Sequence, residues 1–87
     1  MTADMLHQRD EGLDWNRMSI EDILRLAIAD EEYARDYYRR AACIAAHLHT
    51  QRMLLQLSEM EQGHADQLRK ELDELLLQRE LETGMAD

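Results

Sequence analysis

Three side chains in this 87-residue sequence have the types and spacing to hold a divalent metal ion: Glu31, Glu61 and His64. The run Glu61-Gln-Gly-His64 sets a carboxylate and an imidazole three residues apart, on one face of a helix, where both reach a single ion. Glu31 lies in a separate run of helical spacing and offers a second carboxylate. Two carboxylates that face each other in an apolar layer lose hydration and repel, and only a proton or a cation resolves that conflict. Oxygen-rich ligation with one imidazole suits iron or manganese better than a structural zinc, which prefers thiolates and a closed tetrahedron. The plain alternative is that the three residues are polar interruptions that fix the register of two packed helices.

The elements that must position these residues are legible from periodicity. Ser19-Ile-Glu-Asp22 resembles a capping box and marks a helix start. From there Leu24, Ala27, Ile28, Glu31, Ala34, Tyr38, Ala41, Ala42 and Ala45 recur as one stripe. On the other face Glu21 with Arg25, Glu32 with Arg35, and Asp36 with Arg40 suit a solvated surface. Ala46-His-Leu-His-Thr50 breaks the pattern, Thr50 is a candidate cap, and a second helix is predicted over about 50–81. Its stripe is Met53, Leu54, Leu57, Glu61, His64, Leu68, Leu72 and Leu75. A turn near residue 46 then gives an antiparallel hairpin whose facing residues have numbers summing to about 92. That register sets Leu24 opposite Leu68, Ile28 opposite His64, Glu31 opposite Glu61, and Tyr38 opposite Leu54. The three polar breaks fall at one level, roughly 22 Å from the turn at about 1.5 Å per residue.

Composition agrees with an all-α chain. It has no Val, no Phe and no Pro, and its only Ile are at positions 20, 23, 28 and 44. The domain reading is an N-terminal arm over 1–18 docked by Trp15, a helical hairpin over 19–82 and a flexible C-terminal tail over 83–87. A formal net charge of −9 opposes nucleic acid and anionic membranes, and favours a cationic partner. Cys43 is the only cysteine, and neither a signal peptide nor a membrane-spanning run is evident, so the expected compartment is the cytoplasm. A chain of this length buries only about 60% of its unfolded surface, so metal binding or self-association is expected to assist the core.

Four-helix di-iron carboxylate proteins take one Glu from each of two helices and a Glu-x-x-His from each of the other two. This sequence holds half of that set, and a two-fold dimer completes it. The stretch Ala27-Ile-Ala-Asp-Glu31-Glu-Tyr-Ala34-Arg-Asp-Tyr37-Tyr38 resembles the first metal helix of the rubrerythrin and ferritin-like superfamily. Leu57-Ser-Glu-Met-Glu61-Gln-Gly-His64-Ala-Asp-Gln-Leu68 resembles the second. With a single pair in a short acidic chain, the sequence is most similar to encapsulated ferritins. The resemblance implies a ferritin-like four-helix bundle built from a homodimer or larger homo-oligomer. It also implies two irons per dimer, with manganese or zinc as substitutes, held by Glu31, Glu61 and His64. The implied activity is ferroxidase, oxidising Fe(II) to Fe(III) at the subunit interface for iron storage or detoxification, with these three residues both catalytic and metal-binding. An encapsulin shell is the further partner that the resemblance implies, although Leu81-Glu-Thr-Gly-Met-Ala-Asp87 is a poor match to a shell-targeting peptide. The alternatives are a rubrerythrin-like protein that reduces peroxide, and a non-enzymatic helical interaction module.

Other residues are less specific. The Tyr38 hydroxyl either supports a ligand or reaches solvent. His47 and His49 are solvated turn residues or an auxiliary metal site, and Glu32 and Glu59 read as surface charges. Gly63 within a helix costs about 1 kcal/mol and points to a close approach by another backbone or by the metal. Cys43 reads as a small buried or half-buried residue in an Ala-rich stretch.

Overall fold

In a computed structural model the chain is an antiparallel pair of helices, with residues 12–86 described and side chains described as far as residue 84. Helix α1 runs Ile20–Ile44 and helix α2 runs Leu48–Ala86, and no strand occurs among the described residues. The Ser19 hydroxyl accepts from the Asp22 N–H and the Asp22 carboxylate accepts from the Ser19 N–H, both at 3.0 Å, which completes the expected capping box. The Ser19 N–H first, and then the Ser19 hydroxyl, hold the Asp22 carboxyl below its usual range.

The turn falls where expected, and both ends of α2 extend past the prediction. The helix begins at Leu48 rather than Thr50, because the Gln51 N–H already donates to the His47 carbonyl at 2.9 Å. It continues through Gly84 to Ala86, since one glycine lowers helix propensity without forbidding the helix. Residues 83–86 are therefore helical. Residues 1–11 of the expected arm lie outside the described part. Trp15, expected to dock that arm, is 49% exposed.

The hairpin is held by small residues. Ile28, Ala34, Tyr38 and Ala42 of α1 meet Ser58, Ala65 and Leu72 of α2, and the short Ala and Ser side chains let the helices approach closely. On α2 the buried positions recur every seven residues, beside the expected stripe rather than along it. Leu72 is common to both, whereas Leu54, Leu57, Leu68 and Leu75 are half-buried and Met53 and His64 are exposed. The apolar stripe of α2 is thus wider than one neighbour covers, and its uncovered edge holds Met53, Met60 and His64.

Ion pairs fasten the outer edge. Glu21 pairs with Arg25 at 2.9 Å as expected, but it also reaches Arg79 of α2 at 2.8 Å. Glu32 bonds Arg69 at 2.6 Å, and Arg35 bonds both Asp36 at 2.9 Å and Gln62 at 2.7 Å. Asp36 lies 4.0 Å from Arg39, where the sequence suggested Arg40. The face expected to be solvated therefore helps to join the helices. Cross-helix partners sum to 93 at Ala42 and Gln51 beside the turn, and to 100 at Glu21 and Arg79. The sum of 92 is met at Glu31 and Glu61 and is exceeded towards the far end of the hairpin. Ile28 accordingly lines a cleft with Leu72 and Arg69, not with His64.

Candidate metal centre

Midway along α1, Glu31 projects from the face that packs on α2. Glu61 and His64 come from one turn of α2, because residues three apart on a helix share a face. The His64 Nδ1 lies 3.5 Å from Glu31 Oε2 and 3.7 Å from Glu61 Oε2. One ligand atom from each of the three residues falls within 4.8 Å of the other two. All three residues singled out from sequence are therefore together, at one level, with apolar layers above and below.

Their burial is graded. The Glu31 and Glu61 side chains are 15% and 12% exposed, whereas the His64 side chain is 53% exposed. The cluster is a recess between the helices with the imidazole at its mouth. The Glu31 carboxyl is pushed up to about 7, first by burial and then by its hydrogen bond to Glu61 and the charge there, with His64 opposing the rise. The donor set of two carboxylates and an imidazole fits an ion of intermediate hardness such as iron or manganese.

Neighbouring residues refine the picture. Tyr38 is buried, and burial followed by the Glu61 charge raises its hydroxyl above the usual range. It meets the exposed Tyr37 edge to face, with ring centroids 5.7 Å apart. Glu59 is exposed as expected, whereas Glu32 is tied to Arg69. His47 and His49 are exposed in and just after the turn and join no metal-binding group among the described residues. Cys43 is exposed, contrary to expectation. A Cβ added at Gly63 meets nothing within 4 Å, so the expected close approach is not made within the hairpin.

Asp30 is what the sequence reading underrated. Its side chain is the most buried polar group described, with the residue 1% exposed, yet it lies outside the Glu31 cluster. Being one residue before Glu31, it sits about 100° away around α1. Helical periodicity marks it as a residue off the core stripe, and no sequence signal reveals its burial.

No helix is long and apolar enough to cross a membrane among the described residues. The family model for rubrerythrin matches residues 22–86, from the first turn of α1 to the end of α2, and so includes all three cluster residues. Neither the curated proteins nor the solved structures offer a match.

Proposed function

The chain belongs to the rubrerythrin family, and from that premise we propose that it is a ferroxidase whose metal site is completed by a second copy of the chain. The family is one of ferritin-like, iron-related oxidoreductases. The observation that carries the reading is the convergence of Glu31, Glu61 and His64 within 4.8 Å at a half-buried level.

Glu31 and Glu61 serve as the carboxylate ligands, and His64 as the nitrogen ligand at the mouth. Two Fe(II) are the substrate, and each gives up one electron. Dioxygen takes those two electrons with two protons and leaves as hydrogen peroxide. What the chain contributes is charge and position. The two carboxylates offset the added positive charge as Fe(II) becomes Fe(III). The Glu31 carboxyl, which holds its proton to about pH 7 without metal, gives that proton up when a cation takes its place.

The second copy supplies what one hairpin lacks. Three donors leave an iron under-coordinated, and two copies give the four Glu and two His of a di-iron bundle. The uncovered edge of α2 with Met53, Met60 and His64 supports the same conclusion, because the site opens on that edge. Covering it buries apolar surface and encloses the metal in one event.

The test is an anaerobic Fe(II) titration of the apo-protein followed by admission of oxygen. One Fe(II) bound per chain, then oxidation faster than in buffer with peroxide released, is the expected result. Stoichiometry well below one per chain, or oxidation no faster than in buffer, rejects the reading.

A further inference from the structure

Helix α1 carries a second apolar face. Tyr33, Tyr37, Ala41 and Ile44 recur at helical spacing on the side turned away from Glu31, and with Arg40 and Cys43 they line a groove open to solvent. Tyr33 and Tyr37 are each about half exposed, and Ile44 is 85% exposed. Because this face points away from the cluster, closing a four-helix bundle around the metal leaves it bare. A patch of two tyrosines and an isoleucine in open water is the kind of surface that marks an interaction site.

The other end of the molecule carries a matching shape and charge. Arg79 of α2 pairs with Glu21 in the first turn of α1, so residues 80–86 run on past the helix that covers the rest of α2. Leu77 and Leu81, four residues apart, share a face of that end and are 56% and 58% exposed. Residues 71–84 hold five carboxylates, at Glu71, Asp73, Glu74, Glu80 and Glu82, against one cation, Arg79, which is already paired. Around the turn the balance is reversed. Residues 35–52 hold Arg35, Arg39, Arg40 and Arg52 against the single carboxylate of Asp36, which pairs with Arg35 and Arg39 and leaves Arg40 as the cation in the groove.

We propose that the Tyr33–Tyr37–Ile44 groove of one copy receives the acidic far end of α2 from another, with Leu77 and Leu81 as apolar anchors and Arg40, which lines the groove, facing the flanking carboxylates. This is a helix laid in a groove, read as anchors at i and i+4. In the proposed contact each copy receives one neighbour and inserts into another, so it is head to tail and repeats from copy to copy into a ring or a chain. It uses none of Glu31, Glu61 and His64, and therefore stands or falls separately from the ferroxidase reading. The two contacts together give each copy two neighbours of different kinds, one across the metal and one at the ends.

The only cysteine of the chain makes the test direct. Cys43 lines the groove, and along α2 the level of the turn and the level of Leu81 are about 50 Å apart, at about 1.5 Å per residue. A disulfide between Cys43 and a thiol introduced by Leu81→Cys therefore has to join two copies, and it forms only if their Cα atoms come within about 7 Å. The full-length Leu81→Cys protein, with Leu77 left in place, is oxidised mildly and run on a non-reducing gel. A ladder of three or more covalently linked chains is expected, whereas the unmodified protein stops at two. Adding Leu77→Asp should abolish the ladder, and adding Arg40→Glu should slow it by about tenfold. Linkage no further than two chains, or a ladder unmoved by both added substitutions, overturns the proposal. So does light scattering that finds the unmodified, metal-loaded protein no larger than a dimer.

Discussion

Glu31 is the residue on which metal, proton and fold meet. Its carboxyl ordinarily titrates near 4.5 and is pushed up to about 7 here. A folded-state value above the unfolded one means that the native state holds the proton more tightly. The resulting stability is fully present below pH 4.5 and is lost as the pH rises through about 7. The melting temperature of the metal-free protein should therefore fall between pH 5 and pH 7.5, as followed by circular dichroism. Glu31→Gln keeps the shape without the charge, and should flatten that dependence while removing metal binding. Affinity for Co(II), used as a spectroscopic stand-in for Fe(II), should rise with pH over the same window, because the cation displaces the proton. A melting temperature that rises between pH 5 and pH 7.5 contradicts this account of Glu31.

At the scale of the helices, the cluster depends on how closely α1 and α2 approach. Ala65 is fully buried between the helices and immediately follows His64 in sequence. Ala65→Leu forces the helices apart. A loss of about 1–3 kcal/mol in unfolding free energy is expected from such overpacking, measurable by urea denaturation. Co(II) binding should weaken along with it, since Glu31 is carried by one helix and Glu61 and His64 by the other. A substitution on the outer side of α2, away from the Met53, Met60 and His64 edge, such as Glu59→Gln, serves as the control, because that position is exposed and should cost within about 0.5 kcal/mol.

For the whole molecule, the hairpin is a single layer of helices measuring 60 × 27 × 13 Å, with too little depth to enclose a site on every side. Self-association and metal binding are therefore expected to be linked, each stabilising the other by mass action. Adding Fe(II) or Co(II) should shift the protein towards dimer in sedimentation experiments, and a chelator should reverse the shift. Glu61→Ala should weaken the metal-loaded dimer by tenfold or more, on the order of 1.4 kcal/mol. If the acids serve only recognition, the dimer of Glu61→Ala is as stable as the parent or more so, and insensitive to chelators.

The sequence by itself determined that the chain is two antiparallel helices, where the first begins, and which three residues meet. Each of these follows from local rules: Ser19 and Asp22 satisfy the first turn's N–H groups, and i, i+3 spacing places Glu61 and His64 on one face. Counting outward from the turn matched Glu31 to Glu61, and both reach His64. What only the tertiary structure decided is which edge of each stripe is covered. Burial centres on Ser58, Ala65 and Leu72 because small residues set the closest line of approach between helices, and a stripe of leucines does not reveal that line. The cross-helix pairs Glu21–Arg79 and Glu32–Arg69 depend on the path of two long helices over many turns, where small offsets accumulate beyond what counting resolves. The same holds for the burial of Asp30 and the exposure of Tyr37 and Cys43. Each lies off the Glu31 stripe, and its surroundings are settled by chain segments far from it in sequence.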